Sequence, residues 1–403
     1  VISNESFFEP LTNVIQYLKA RGTWGQVGNS QISGRRFAYL ATVTDSSSTS
    51  YTFGKNMDQN YGTTAIDEYA VDVTWEVADK TDIGVDMRLL NNKLNLQFDY
   101  FKESREGIYL RRSSIPSYVG MINNPYGNIG KVENKGFELS VNYANSWGGD
   151  WSLSLMGNYS FNRNKVLEDD STVVYPWQNT IGNKVGQRFG LVALGLFESY
   201  GEIAASPVQT GDTRPGDIKY KDINGDGKID EYDKVPIGWG SVPEIMYGFG
   251  FSLGWKNLSL TAMFQGAAHV DAMLSGEGVL PFSQGSSRGN LLSNITDRWT
   301  EENPRQNAFY PRLSIGNINM NYEESTWWLK DTDYLRLKNI ELSYRLPDHW
   351  MKRIHLDNAR IFIQGVNLLT FSSFKIWDVE LGDGRGARYP NIASVSLGVN
   401  FNF

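Results

Sequence analysis

The sequence predicts an all-β fold, a transmembrane antiparallel β-barrel segment, and three observations support it. First, apolar and polar side chains alternate through the final segment, from Ala393 to Phe403. This period of two suits a strand with lipid on one face and a polar lumen on the other. Second, the same alternation recurs along the chain. Third, the chain has 40 Gly, 12 Trp, 21 Tyr and 20 Phe, and no run of about 18 apolar residues that would form a membrane helix.

The alternation and the turns between its runs define eleven predicted strands. Each clear run has roughly the 9–11 residues that a tilted strand needs to cross a bilayer. We expect the last strand to end in the periplasm, so the directions alternate backwards along the chain and the first strand runs inward. The predicted strands are 16–27, 36–44, 74–90, 93–105, 132–146, 151–165, 244–255, 257–270, 333–346, 358–371 and 391–403.

Short polar turns at 91–93, 146–150 and 256–257 alternate with long connections. Outer-membrane barrels have short periplasmic turns and longer extracellular loops. The segment 187–198 also has an extended pattern, and we expect it to stay within the external region. The predicted long extracellular loops lie near 45–73, 106–131, 166–243, 271–332 and 372–390.

Eleven strands cannot close as a bacterial single-chain barrel, which has an even number of strands. An open sheet edge in lipid would leave unpaired amides and carbonyls, each at a cost of several kcal/mol. We therefore expect the chain to be one part of a larger barrel, divided in an external loop before Gln16.

Composition excludes several other classes of protein. Without cysteine there is no disulfide framework and no thiolate chemistry. The net charge of −7 gives no support for a nucleic-acid partner. His269, His349 and His355 are the only histidines and show no metalloenzyme spacing, so we expect no catalytic residue. The opening residues do not form a signal peptide, which implies that an outer-membrane protein would begin upstream.

One segment, 222–233, follows the spacing of a calcium-binding EF-hand loop, in which oxygen ligands recur around a sharp turn. Gly227 stands at the turn. The last ligand position holds Asp instead of Glu, so a single oxygen there, Mg²⁺ instead of Ca²⁺, or weak binding are alternatives. An ordinary Asn/Asp/Gly turn without an ion is the other interpretation. The candidate metal ligands are Asp222, Asn224, Asp226, Lys228 through its carbonyl, Asp230 and Asp233.

Several blocks of sequence resemble the SusC/RagA-type TonB-dependent transporters. They occur in the family's order across nearly the whole chain. The matching blocks are 18–29, 74–76 with 83–84, 130–139, 215–230, 334–344 and 358–368.

The resemblance implies a plugged barrel of about 22 strands, of which this chain would supply the carboxy-terminal half. It also implies a bacterial outer-membrane location and import of large nutrients, oligosaccharides or peptides. The implied partners are an amino-terminal barrel half with its plug, TonB acting through that plug, and a SusD-like lipoprotein lid. No plug domain or TonB box is recognisable here. The lumen-facing residues would include Glu138, Asn142, Glu341 and Arg345.

Two other functions remain as alternatives at this stage. One is a structural or adhesive outer-membrane barrel without TonB coupling. The other is a soluble, calcium-dependent glycan-binding or hydrolytic β-protein. External tryptophans could stack on sugar rings or simply pack the loops, whereas tryptophans near short turns indicate a periplasmic aromatic belt.

Overall fold

The structure, a computed structural model, describes residues 1–31, 37–55, 59–119, 121, 123–282, 293–353 and 356–402. None of the described helices is long and apolar enough to span a membrane. The α-helices are α1 (Tyr200–Ala204) and α2 (Asp348–Arg353). The strands are β1 (Ile15–Asn29), β2 (Thr42–Phe53), β3 (Gln59–Glu68), β4 (Glu76–Leu89), β5 (Leu94–Arg111), β6 (Tyr126–Trp147), β7 (Trp151–Glu168), β8 (Arg188–Gly190), β9 (Ala193–Leu196), β10 (Val208–Gln209), β11 (Ile218–Tyr220), β12 (Lys228–Ile229), β13 (Val235–Ile237), β14 (Ile245–Trp255), β15 (Leu258–Ala268), β16 (Asp271–Met273), β17 (Leu329–Asp331), β18 (Tyr334–Arg345), β19 (Asn358–Ser372) and β20 (Ser394–Asn402).

Short 3₁₀ turns complete the connections. They are Ile2–Asn4, Ser6–Leu11, Ser117–Val119, Pro176–Gln178, Glu231–Asp233, Ser293–Thr296, Met320–Tyr322 and Val379–Leu381.

Ten strands form one antiparallel sheet in the order β1-β4-β5-β6-β7-β14-β15-β18-β19-β20. Three tight connections join neighbouring strands at one edge, which we call the short-turn edge. Their residues adopt left-handed φ values, as at Asn91 (57°), Asn92 (63°), Gly148 (62°) and Lys256 (54°). Asn and Gly are the residues that most easily adopt this conformation, which is why the sequence turns there. The opposite edge, which we call the long-loop edge, carries the long connections.

The predicted strand 36–44 is wrong, and the other ten predicted strands are present. β1 pairs directly with β4, from Ile15 opposite Leu89 to Asn29 opposite Glu76. Residues 32–36 lie outside the described residues, and β2 pairs with β3 in a separate hairpin. The sequence from Phe37 to Ala41 has five apolar residues in succession and no clean alternation. This segment therefore does not form a strand between β1 and β4, which pair directly along their length.

The predicted direction of the first strand is also wrong. Because β1 is antiparallel to β4, it starts at the short-turn edge, where the Asn91 amide donates to Gln16 Oε1 (2.9 Å). The predicted external position of the chain before Gln16 therefore does not hold. The described sheet has ten strands, an even number, and not the predicted eleven. An odd strand number therefore no longer indicates a partial barrel. The sheet order still ends at β1 and β20, so the sheet of described residues is open.

Two predicted loop regions contain more strand than expected. β5 and β6 extend into the predicted loop 106–131, ending at Arg111 and beginning at Tyr126. Their ladder continues through an irregularity at Gly107, whose φ of 69° suits glycine. Within 187–198, β8 pairs with β13 and β9 pairs with β11, so this segment stays outside the large sheet, as expected.

The long connections pack into a folded loop region at the long-loop edge. We define this region as the described residues of 187–240, 270–332 and 373–393. Its interior is apolar and closely packed, with Trp328 and Tyr310 each 1% exposed. The buried cluster comprises Leu191, Leu196, Ile218, Tyr220, Ile229, Ile237, Val270, Met273, Leu274, Val279, Leu280, Trp299, Ala308, Tyr310, Trp328, Phe374 and Val379, joined by Ala267 and Tyr334 from the ends of β15 and β18.

Candidate functional site

One face of the ten-stranded sheet carries a continuous apolar surface. The register places Leu139 between Phe98 and Tyr159 on neighbouring strands. At the far side of the sheet, Leu397 lies opposite Ile363 and is 78% exposed. Large apolar side chains exposed along one face of a sheet fit a surface that hydrocarbon covers. The predicted alternation between a lipid-facing and a polar face is therefore confirmed.

The other face, which we call the polar face, carries hydrogen-bonding and charged side chains. Glu138 lies opposite Asp99 and Ser160, and Asn142 lies opposite Asn95. These positions are those of a wet lumen wall, where polar groups keep their water or pair with one another.

Charged residues of the polar face form ion pairs across strands. Arg360 Nη1 lies 2.7 Å from Glu341 Oε1. Near the other end of the sheet, Arg21 bridges Asp86 at 3.0 Å and Asp99 at 2.6 Å. Cross-strand pairs of opposite charge stabilise a sheet and leave little uncompensated charge on its surface.

Four tryptophans lie at the short-turn edge, as expected for an aromatic belt. Trp147 and Trp151 face each other across one turn, and the ring of Trp151 lies 5.9 Å from that of Trp255. Trp350 belongs to α2, which connects β18 to β19. These four side chains are between 40% and 51% exposed. Half-exposed indoles at a strand end suit the membrane–water interface.

A buried ion cluster ties the loop after β19 to β18. Arg336, only 2% exposed, donates to Glu380 at 2.6 Å and to Asp378 at 2.8 Å. The Tyr334 hydroxyl also donates to Glu380, at 2.9 Å. Burial opposes ionisation of Asp378, but the bonds from Arg336 and from backbone amides outweigh it and hold the pKa of this carboxyl below its ordinary value.

Two further carboxylates are buried and paired, Asp217 in the folded loop region and Glu244 directly before β14. Asp217, 1% exposed, accepts from Arg312 at 2.9 Å and from Asn321 at 2.8 Å. Glu244, 4% exposed, accepts from Arg163 at 2.7 Å. Buried carboxylates that are fully paired in this way fix the loops in one arrangement, and removing a partner would leave a charge without compensation.

The predicted cation loop, 222–233, closes around its own side chains. Asp222 accepts hydrogen bonds from the amides of Gly225 (2.6 Å) and Gly227 (2.9 Å). Both glycines have left-handed φ, 75° and 81°. The sharp turn expected at Gly227 is present.

The far end of this loop is held by Asp233, which is fully buried. Asp233 accepts from the amides of Ile223 (2.7 Å) and Asp230 (2.9 Å). At the exposed tip, Asn224 accepts from the Asp226 amide at 3.0 Å. Hydrogen bonds therefore hold the loop from both ends.

Among the described residues, no three His, Cys, Asp or Glu side chains converge as a metal site would require. In the cation loop, Asp226 accepts from the Lys228 amide at 2.9 Å and lies at the exposed tip, while Asp233 faces the buried end. The structure thus brings the predicted ligands into one loop but does not gather three carboxylates around one point.

The external tryptophans mostly pack inside the folded loop region. Trp328 is buried and Trp327 packs against the same core. Trp239 stacks on His269 with ring centres 3.9 Å apart, and Trp177 stacks on a neighbouring tyrosine. Trp377 packs against Phe374 (5.3 Å). Packing accounts for Trp327 and Trp328, while Trp239 remains 42% exposed.

The sequence reasoning missed one cavity, which we call the lumenal cleft. It has a volume of about 720 Å³ and lies on the polar face, at the long-loop end of β5, β6 and β7. Segment 180–189 passes over it. A signal was present in the sequence, because Val132 and Val166 are apolar residues at polar-face positions of their strands. The structure makes them register partners. The cleft's apolar lining comprises Ile108, Leu110, Val132, Val166, Val185 and Phe189.

Comparison with known proteins agrees with this architecture. Residues 13–368 match the family described as "TonB dependent receptor-like, beta-barrel". TonB-dependent receptor P3 of Formosa agariphila is 28% identical over 430 residues, which cover 100% of this chain and 41% of that protein. TonB-dependent receptor SusC of Bacteroides thetaiotaomicron is 25% identical, covering 100% of this chain and 39% of that protein.

A solved structure of the RagAB peptide importer in its open-open state shows the same fold, with a TM-score of 0.73 and 21% identity. The match covers 100% of this chain and 42% of that chain. This chain therefore spans about two fifths of the length of the proteins that it resembles. The soluble β-protein considered above is excluded by the family match, which places the sheet in the outer membrane. The chain belongs to the TonB-dependent receptor β-barrel family, and along its whole length it is similar to SusC and to the barrel of the RagAB importer.

Proposed function

We propose that this chain forms part of the wall of a TonB-dependent outer-membrane importer of large nutrients, either oligosaccharides or peptides. The observation that carries the proposal is the ten-stranded sheet, apolar on one face and polar on the other, within a chain of this receptor family. A receptor family gives no reason to assign a catalytic residue, and we assign none.

The open sheet supports a role as one part of a larger barrel. Within the described residues, β1 and β20 are the terminal strands of the sheet. Edges left open in a bilayer would expose unpaired backbone groups, so further strands must cover them. We propose that an amino-terminal barrel half supplies these strands and that its plug receives the pull of TonB.

The folded loop region supports an external lid partner. Long loops of outer-membrane barrels are extracellular, which would place this region at the mouth of the barrel. Its packed core offers a firm surface to a second protein. The matched structure is that of the RagAB peptide importer. We propose that a SusD-like surface lipoprotein covers this mouth.

Uptake in cells tests the proposal. Three strains would be compared: the native strain, a strain without this receptor and a strain without TonB. Each would be grown with either an oligosaccharide mixture or a peptide digest as the nutrient. Growth that requires both the receptor and TonB is the expected result. Receptor-dependent growth that persists without TonB would contradict the proposal.

Affinity purification of the tagged full-length receptor from outer membranes gives a second test. A surface lipoprotein should co-purify in a near-stoichiometric amount. A structural or adhesive barrel, the alternative function, would change cell attachment or envelope integrity on deletion and leave uptake intact.

We also propose that loop 222–233 binds Ca²⁺ weakly, or Mg²⁺, in a structural role. Asp222, Asn224 and Asp226 would supply the ligands at the tip, with the Lys228 carbonyl, while Asp230 and Asp233 complete the acidic loop. The supporting observation is the turn at Gly227, with hard oxygen donors on both sides. An extracellular site of this type would have a Kd of roughly 10⁻⁴–10⁻³ M.

Terbium luminescence on the full-length receptor would test the cation proposal. Binding should be displaced by Ca²⁺ and lost in Asp222→Asn/Asp226→Asn. A matched variant outside the loop, Asp212→Asn, should bind as the unsubstituted protein does. Equal luminescence in the loop variant would show that the loop is held by its hydrogen bonds alone.

A further inference from the structure

We infer, on the basis of the proposed import function, that the lumenal cleft receives an apolar side chain of a peptide. The cargo of this receptor would then be a peptide and not an oligosaccharide. The argument depends on the lining of the cleft, on its charges and on one buried acceptor.

The floor of the cleft is apolar at positions where the sheet should be polar. Val132 and Val166 face each other across β6 and β7, and Ile108 and Leu110 extend the patch along β5. All four side chains are partly exposed. Apolar side chains exposed to water do not stabilise a lumen wall, whereas an apolar group that covered them would be stabilised in proportion to the apolar area removed from water.

Gly130 shapes this floor. A Cβ atom at that position would lie 2.6 Å from Leu110 Cδ1 and 3.0 Å from Ile108 Cβ. Because glycine has no Cβ, the side chains of Ile108 and Leu110 can pack directly against the backbone of β6. The patch is then continuous from β5 to β7.

The cations that line the cleft are already paired within the protein, so the cleft offers no free cation to an anionic cargo. Two carboxylates also line it: Asp169 accepts from the hydroxyls of Ser171 and Thr180, and Glu168 is exposed. Charged sites that recognise anionic or cationic cargo usually present unpaired groups, because the cargo supplies the partner. Here three lining cations are each paired with a carboxylate. The pairs are Arg105–Glu103 at 2.8 Å, Lys131–Glu106 at 2.5 Å and Lys184–Glu244 at 3.1 Å.

One polar atom in the lining lacks a partner. Asn134 Oδ1 is buried and accepts no hydrogen bond within the described part of the chain. An unsatisfied buried acceptor is unfavourable, so a ligand that donates a hydrogen bond to it would relieve that cost. A peptide presents one N–H beside each side chain, which matches an apolar patch next to a single acceptor.

A sugar ring presents several hydroxyl groups and prefers aromatic faces. Phe189 is the one aromatic side chain among the residues that line the cleft. Hydroxyl groups placed against Val132 and Val166 would lose their hydrogen bonds to water without replacement, which is unfavourable. The lining therefore favours a peptide over an oligosaccharide.

The segment above the cleft is held in place. The Val166 amide donates to Asn183 O and the Gly182 amide donates to Val166 O, both at 2.8 Å. The Val185 amide donates to Asn164 Oδ1 at 2.7 Å. A site whose cover is fixed in advance loses less conformational entropy when a ligand enters.

Binding to the full-length receptor, purified with its co-purifying partners in detergent, tests the inference. The probes are the pentapeptide Ala-Ala-Leu-Ala-Ala, the peptide Ala-Ala-Gly-Ala-Ala and maltohexaose, each followed by saturation-transfer NMR. We expect the leucine peptide to bind most tightly, with its methyl groups giving the strongest signals. Maltohexaose binding tighter than that of the leucine peptide would overturn the inference.

Val166→Thr keeps the shape and β-branching of valine and adds a hydroxyl, so the strand should still fold. We expect it, and Val132→Thr, to weaken the leucine peptide about tenfold and to leave the glycine peptide unchanged. Val174→Thr, at a side chain that is 67% exposed and outside the cleft, is the matched control and should have no effect. Unchanged affinity in both cleft variants would contradict the inference.

Access to the cleft is tested by a single cysteine, because this chain has none of its own. Val166→Cys in the full-length receptor should react with a maleimide more than the unsubstituted receptor does, and the leucine peptide should protect it. A cysteine that never reacts would show that the rest of the receptor fills the cleft, and the inference would fail. The proposed function is judged separately, because TonB-dependent uptake can persist when neither probe binds.

Discussion

The ten-stranded sheet and the folded loop region place the same kinds of side chain in opposite surroundings. In the sheet, Leu397 is 78% exposed on one face, and Arg360 pairs with Glu341 on the other. In the folded loop region, Trp328 and Tyr310 are each 1% exposed. The sheet is therefore built for lipid outside and water inside, while the loop region is built like a water-soluble domain.

The difference shows what stabilises each part. A sheet whose apolar face stays exposed in the isolated chain depends on the membrane for its hydrophobic stabilisation. The loop region buries its own apolar surface and fixes its connections with paired carboxylates such as Asp217 and Asp378. We expect substitutions in the two regions to act independently, because residues without shared partners usually contribute additively.

Trp328→Ala should give the largest effect and should affect only the folded loop region. The side chain is buried, and its Nε1 donates to Asn321 O at 2.7 Å. Removing a buried tryptophan costs about 3–5 kcal/mol. Hydrogen exchange of the full-length receptor should show lost protection in 187–240 and 293–332 and unchanged protection in the sheet. Tyr389→Ala, at an 81% exposed aromatic, is the control. Loss of protection in both regions would show that they fold as one unit.

Arg336→Met should cost about 3 kcal/mol, the lower end of the range for a broken buried pair, because Asp378 and Glu380 are part-exposed and only their cation is buried. The expected readout is faster hydrogen exchange in 374–391. Lys338→Met is a matched control on the same strand, since Lys338 lies 3.8 Å from Glu380 and is more exposed. The control should cost less than about 1 kcal/mol. Equal effects of the two variants would argue against a buried cluster.

Leu139→Arg and Ser140→Arg place the same charge on the two faces of β6. On the lipid face, an arginine near the middle of the bilayer costs about 2–4 kcal/mol, and on the lumen face it should cost little. Folding of the full-length receptor into lipid vesicles, followed by heat-modifiable migration on gels, would measure the difference. Similar folding yields for both variants would mean that the two faces are not separated as described.

Asn92→Val should give the smallest effect. Asn92 has a φ of 63°, and a β-branched residue pays about 1–2 kcal/mol in this left-handed conformation. The turn joins β4 to β5, so the cost should appear as a modest drop in the sheet's resistance to urea. Asn92→Gly should be close to neutral. A larger loss in the glycine variant would contradict the assigned turn.

The sheet could be predicted because its signal is local. Alternation over about ten residues and turns such as Asn91-Asn92 lie within a single stretch of sequence. The error at 36–44 came from the same rule, applied where the alternation is poor. The directions of the strands follow from the pairing, so one false strand reversed the direction of β1.

The folded loop region could not be predicted in this way. Asp217 and Asn321 form a hydrogen bond in its interior although 104 positions separate them. Neither residue lies in a stretch where apolar and polar residues alternate. The lumenal cleft could be predicted only in part. Val132 and Val166 are apolar residues at polar-face positions of their strands, but only the register shows that they face each other.

The length of β6 has a consequence for where this protein meets its surroundings. Its 22 residues measure roughly 70 Å at about 3.3 Å per residue. A tilt of about 40° leaves roughly 55 Å along the membrane normal, against an apolar band of about 25 Å. The wall of the barrel therefore extends well above the lipid headgroups. Solutes would first meet the receptor at that height above the membrane.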